Sequence, residues 1–200
     1  AITVLIACAA HLVLTHGVVI MQLMLKLSPI NFFRGAREAM LVAFSTSSSA
    51  ATLPVSMSAA EDNLGVKPVV ASTVLPLGAT INMDGTALYV GIVSVFAAQA
   101  FGIDLTLTDY LIMAGTTTLV SVGTAAVPSA SLFLMAAVME TIGMTAQQIA
   151  VTVGFIFIID RPLDMLRTSI NIAGDLAVST AVATWEGEFD REVFDRPLNS

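Results

Sequence analysis

Asp164, Arg167, Thr168, Asn171 and Asp175 lie within one short apolar stretch of this chain. The steps from Asp164 to Arg167, Asn171 and Asp175 are three, four and four residues, so on an α-helix they form one polar stripe. An arginine one turn from an aspartate offers a guanidinium fork for a carboxylate and a carboxylate that can accept from an ammonium. A zwitterion carrying an additional acidic group matches that pair. The stripe also fits a plain Asp164–Arg167 ion pair within the helix, which would leave Asn171 and Asp175 without a task.

A second group is Asn82-Met83-Asp84-Gly85-Thr86, where Asp84 is the sole charge between Lys67 and Asp104. Asn82 to Gly85 are poor helix formers, so a helix running through them unwinds there. Unwound backbone exposes carbonyls, and Asn82 and Asp84 add side-chain oxygens, a donor set suited to a hard monovalent cation such as Na⁺. If these residues only kink a helix, Asp84 is left without compensation. His11 and His16 are five residues apart, about 140° around an α-helix, and are expected to pack separately rather than to share a metal.

These polar groups stand in a chain of 200 residues that is 56% hydrophobic and 12% charged, with a mean hydropathy of +0.87. A soluble globule carries roughly 25% charged residues. Stretches without Asp, Glu, Lys or Arg cover 1–25, 39–60, 68–83, 85–103, 110–139 and 141–159. Several approach or exceed the ~20 residues that cross a bilayer, so the sequence reads as an integral, multi-pass membrane protein. A charge in mid-membrane costs ~2.5 kcal/mol or more, so it persists where it is paired, solvated or used. The net charge of −7 comes with no basic patch, and no nucleic-acid partner is expected. The single cysteine, Cys8, reads as a buried, inert thiol.

Residues 1–27 read as a transmembrane helix whose start precedes Ala1. Lys26 to Glu38 reads as a polar connection at the membrane edge, cytoplasmic by its basic residues. Two runs of small and hydroxyl residues around a proline follow, Ser45 to Pro54 and Ser121 to Ser131. Each reads as the tip of a re-entrant hairpin, the first over about 39–62 and the second over about 110–140. Each hairpin precedes a helix with embedded polar residues, an interrupted one over about 68–103 and a final one over about 147–184. Residues 185–200, with five acids against two arginines, read as a solvated tail. The fold class is therefore an all-α membrane protein with two re-entrant helical hairpins and interrupted transmembrane helices, arranged as inverted repeats with the site at their interface.

The strings STSSSAATLPVS, LPLGATINMDGTALY, GTAAVPSASLFLMA and DRPLDMLRTSINIAGD, in this order and spacing, resemble the dicarboxylate/amino acid:cation symporter family. The resemblance covers residues 28–184 and implies the core of a mobile transport domain. It further implies sodium-coupled symport of aspartate or glutamate by an elevator mechanism, with no enzymatic activity and no organic cofactor. A homotrimer held by an N-terminal scaffold, lipid contact and residence in the cell membrane, inner or plasma, are implied as well.

By the same resemblance Arg167 binds the substrate's side-chain carboxylate and Asp164 its amino group. Thr86, Thr168 and Asn171 add side-chain contacts, and the tips at Ser48, Ser49, Val127 and Pro128 add backbone contacts. One sodium lies among the backbone oxygens of Gly78, Asn82 and Asn171 and the Asp175 carboxylate. A second uses the backbone oxygens of Thr80, Ser121, Val122 and Thr124, and a third the side chains of Asn82 and Asp84. The sequence departs from the pattern at Val90, where relatives carry a protonatable Glu or a Gln, and at Ala126, which replaces a hairpin glycine. Arg167 argues against a neutral amino-acid substrate, and the Asp164/Asp175 pair argues against a C4-dicarboxylate. An intramembrane aspartyl protease would need Gly-x-Gly-Asp, whereas residues 172–175 are Ile-Ala-Gly-Asp. The alternative reading is a C4-dicarboxylate or neutral amino-acid symporter of the same family, and a channel or receptor on the same fold ranks behind it.

Overall fold

The computed structural model describes residues 1–196, and residues 197–200, the end of the expected tail, lie outside the described residues. The chain is helical throughout, apart from short connections and one isolated bridge between Val66 and Phe189. Helix α1 (Ile2–His11) continues without interruption into π-helical turns over Leu12–Met24. Helices α2 (Pro29–Thr46) and α3 (Ser49–Ser58) form the first antiparallel pair, and Ala59–Asn63 extends the second of them as π turns. Helices α4 (Pro68–Ile81) and α5 (Asp84–Ala100) are separated by Asn82 and Met83. The second pair is α6 (Leu107–Val122) and α7 (Ala130–Thr141), after which come α8 (Ala146–Glu186) and the short α9 (Arg191–Asp195). Residues 2–24 and 68–100 are long and apolar enough to cross a membrane.

Local chemistry accounts for the helix starts. Ser28 accepts from the Asn31 N–H and Pro29 occupies the first turn, so α2 begins at Pro29 rather than near residue 39. The stretch expected to be a connection at 29–38 is therefore helix. Reciprocal capping boxes, Thr106 with Asp109 and Thr145 with Gln148, start α6 and α8. At the first tip Ser47 turns into the left-handed region at φ 52°, and Ser48 then caps α3 by accepting from the Ala51 N–H at 3.2 Å.

Helix α8 is the central post. Its segment from Leu163 to Ala177 is buried nearly throughout, and it joins two apolar clusters. Ile172 and Leu176 pack with Phe32, Leu64 and Leu75, while Leu163 and Ile170 pack with Tyr89, Met135 and Met139. Of the two helices with embedded polar residues, only α4/α5 is broken. Helix α8 runs for 41 residues through Pro162. The Arg167–Asp160 ion pair spans the proline at two-turn spacing, and the Arg167–Asp164 pair closes one turn beyond it.

The final segment is not a free tail. Lys67 N–H donates to the Glu188 carbonyl at 3.0 Å and Asp190 N–H to the Gly65 carbonyl at 2.7 Å. Phe194 is fully buried against Phe189 and the first core cluster. The acids face solvent, so their number hid an apolar anchor between them. Phe194→Ala is expected to release this segment. A loss of roughly 3 kcal/mol would speed exchange of the Asp190 amide about a hundredfold, as read by hydrogen exchange.

Candidate functional site

Beneath the two tips the structure encloses a polar cavity of about 20 Å³, room for about one water. Its lining includes Ser47, Thr86, Ser131, Asp164, Arg167 and Thr168. The tips touch: the Ser48 hydroxyl donates to the Ala126 carbonyl at 2.7 Å. Val127 and Pro128 sit at the outer surface of the second tip. Ser47 and Ser131 hydroxyls are buried with no hydrogen-bond partner among the described residues. Unpartnered buried hydroxyls are uncommon in folded proteins, and two on one cavity mark a place suited to a polar ligand.

Arg167 is 2% exposed, and each of its three guanidinium nitrogens donates to a carboxylate. Its Nε and Nη2 donate to Asp164 Oδ1 at 3.0 and 2.8 Å, and Nη1 donates to Asp160 Oδ1 at 3.3 Å. The cation lies 4.2 Å from the centre of the Tyr89 ring, whose hydroxyl donates to Asp160 at 2.8 Å. Ser129 completes the network, its N–H donating to Asp164 and its hydroxyl to Asp160, both at 2.8 Å. The second tip is thus fastened to both carboxylates. The intrahelical Asp164–Arg167 pair is formed, and it also belongs to a larger network.

The network contains three residues outside the set expected from the sequence. Asp160 lies four residues before Asp164 and seven before Arg167, a continuation of the same stripe that its spacing announces. Tyr89 stands three residues after Thr86, one helical turn away. Ser129 carries no local signal, because its role depends on how the second tip folds back.

Around the helix break, Asn171 has a specific task. Its side-chain carbonyl accepts from the Gly85 and Thr86 N–H groups at 2.8 and 3.4 Å, and its amide donates to the Thr86 hydroxyl at 3.1 Å. Met83 supplies no side-chain cap, so α5 is capped by a residue of α8. Gly85 N–H also donates to Asp84 Oδ1 at 2.8 Å, so Asn171→Ala is expected to leave the Thr86 N–H unpaired and to lower stability by ~1–3 kcal/mol, measured by thermal unfolding of the full-length protein.

Asp175 accepts from the Asn82 side chain at 3.0 Å. A Cβ on Gly78 would stand 2.6 Å from the Asp175 carboxylate, so Gly78, Asn82 and Asp175 meet at the break, while Asn171 bonds Gly85 and Thr86 on its far side. The residues Thr80, Ser121, Val122 and Thr124 are not joined this way. Thr80 and Val122 are exposed, and no hydrogen bond among the described residues connects Thr80 to 121–124.

Asp84 also differs from expectation, because it has partners within the chain. Nε2 of His11 and Nε2 of His16 each lie 2.8 Å from Asp84 Oδ2. The two histidines share a face because the turns after His11 are π-helical, and i→i+5 bonding stacks residues five apart. The α-helical angle expected from the sequence does not hold there.

The family profile described as "Sodium:dicarboxylate symporter family" matches residues 1–185. The chain is 38% identical over 195 residues to an excitatory amino acid transporter of Caenorhabditis elegans, covering 98% of this chain and 38% of that protein. It is 37% identical over 195 residues to an excitatory amino acid transporter of Onchocerca volvulus, again 98% of this chain and 38% of the relative. With excitatory amino acid transporter 2 of Homo sapiens it shares 43% identity over 148 residues, 74% of this chain and 25% of the relative. The chain thus spans between a quarter and two fifths of the length of these relatives.

Proposed function

Because the chain belongs to the sodium:dicarboxylate symporter family, we propose that it forms the substrate-carrying part of a sodium-coupled symporter for an acidic amino acid, aspartate or glutamate. The observation that carries this reading is Arg167. It is buried against Asp164 under two hairpin tips, beside unpartnered Ser47 and Ser131 hydroxyls. An anionic side chain takes the guanidinium fork, and the released Asp164 accepts from the ammonium. Thr86, Thr168 and Asn171 line the bound molecule, and backbone groups at Ser48, Ser49, Val127 and Pro128 close over it.

Sodium is cargo in this scheme. The first ion lies with Gly78, Asn82, Asn171 and Asp175, where the helix break leaves oxygen donors together. Thr80, Ser121, Val122 and Thr124 take the second, and Asn82 with Asp84 the third. A cavity of about 20 Å³ excludes an amino acid, so loading requires the second tip to withdraw. That movement breaks the Ser48–Ala126 bond and the two bonds from Ser129. Closing again buries the charges with their partners, and the loaded unit then crosses the bilayer as an elevator. The two tips act as re-entrant hairpins, and the full protein is a homotrimer in the cell membrane, in contact with lipid through its exposed apolar helices.

The test is uptake of labelled aspartate by the full-length protein in liposomes. Uptake is expected to require an inward sodium gradient and to be competed by glutamate more strongly than by malate or a neutral amino acid. Uptake that ignores the sodium gradient would overturn the reading.

A further inference from the structure

Two imidazole nitrogens converge on one carboxylate oxygen at a place outside the Arg167 cavity. His11 Nε2 and His16 Nε2 both lie 2.8 Å from Asp84 Oδ2, and all three ligand-capable atoms are within 4.8 Å of one another. We propose that His11, His16 and Asp84 form a binding site for a divalent transition-metal ion of the zinc class.

The donor set selects the ion. Two imidazoles and one carboxylate, with one position open, are the ligands of zinc and of neighbouring first-row metals. Hard monovalent cations take oxygen, so the histidines are poor donors for sodium, and a zinc-class ion held here competes with the third sodium for the Asp84 carboxylate. A tetrahedral ion with bonds of ~2.0–2.2 Å holds its ligands about 3.4 Å apart. The nitrogens must therefore draw back from Asp84 Oδ2 by about half an ångström, a movement within reach of side-chain rotation.

The surroundings support an ion as well. Thr15 Oγ1 lies 3.1 Å from His11 Nδ1 and orients that ring from behind, as outer partners of metal-bound histidines do. His16 is 2% exposed and packs edge-on to His11, with ring centres 5.0 Å apart. The π-helical turns over Leu12–Met24 are what place the pair together, and π segments concentrate at functional positions. His11 and Asp84 border a separate cavity of about 780 Å³, which gives an ion a path in and a water a place as fourth ligand.

Without an ion, the two imidazoles donating through Nε2 to Asp84 account for the same distances, and His16 Nδ1 is buried with no partner among the described residues in either case. Metal binding separates the two cases. The full-length protein, stripped of metal and held in sodium-free buffer, is titrated with Co²⁺ and followed by visible absorption. One Co²⁺ per protomer with a four-coordinate spectrum, displaced by Zn²⁺, is expected. His11→Gln removes a ligand from a partly exposed position, and affinity should fall by more than the ~10–100-fold that loss of a supporting residue costs. His16→Gln should do the same, and the elution volume of each variant checks its fold. Absence of a cobalt spectrum overturns the proposal, as does wild-type affinity in His11→Gln. Binding lost in Cys8→Ser but retained in His11→Gln would place the ion elsewhere and overturn it too. The cobalt spectrum does not depend on transport, so its outcome is separate from the uptake test.

Discussion

Arg167→Ala is expected to abolish sodium-dependent aspartate binding by the full-length protein in calorimetry. Removing one partner of a buried charged pair costs ~2–5 kcal/mol, or roughly 30- to several-thousand-fold in affinity. The substitution also strips Asp160 and Asp164 of the cation they share, and two carboxylates with exposures of 2% and 3% are left facing each other. Uncompensated buried charge costs ~3–5 kcal/mol of stability, so this variant can fail by unfolding. Arg167→Lys separates the effects. It keeps the charge near Asp160 and Asp164 but offers a point donor in place of the fork. Its thermal midpoint should stay near wild type while affinity for aspartate falls about 10- to 100-fold, the loss of one charged hydrogen bond. Wild-type affinity in Arg167→Lys would show that the fork does not grip the substrate.

Gly85→Ala carries the second large effect, through the helix crossing rather than through charge. A Cβ at this position would stand 2.5 Å from the Arg167 backbone carbonyl and 3.1 Å from Asn171 Oδ1. Backbone oxygen cannot swing aside, so α5 must move away from α8. That movement pulls the Gly85 and Thr86 N–H groups off the Asn171 cap. Overpacking costs ~1–3 kcal/mol, and the Thr86 N–H, left without an acceptor while Gly85 N–H keeps Asp84 Oδ1, costs a further ~1–3 kcal/mol. Gly91 lies in the same helix, and a Cβ there would meet only Thr117 Cγ2, at an ordinary contact distance of 4.0 Å. Gly91→Ala should therefore be neutral or stabilising by up to ~1 kcal/mol. Thermal unfolding of the two variants, with sodium-dependent binding measured alongside, checks the contrast. Equal midpoints would show that the crossing tolerates a methyl group.

The break at Asn82–Met83 was legible because poor helix formers and a lone aspartate coincide there, a purely local signal. The stripe from Asp164 to Asp175 was legible because α-helical periodicity needs only the chain's own spacing. Asp160 belongs to that stripe by the same spacing, so the signal for it was present in the sequence. The histidine pair was hidden, since a period of 3.6 turns them apart and nothing local announces π-helical turns. The 29–38 segment read as a connection because its charges outweighed its cap, yet Ser28 and Pro29 are a helix start. Acidic composition masked Phe194 in the same way.

Scarce charge, helical spacing and proline-centred runs of small residues, all properties of near neighbours in the chain, were enough to indicate a membrane protein with a broken helix and a polar face. Which groups satisfy one another was decided only by packing. Asp84 meets His11 and His16 across 73 and 68 residues, and Asn171 caps α5 across 86. Arg167, already paired within α8, is enclosed by Tyr89 and by the tip carrying Ser129. Such pairs form because a buried donor or acceptor is costly until it finds a partner, and tertiary structure alone determines which partner is within reach.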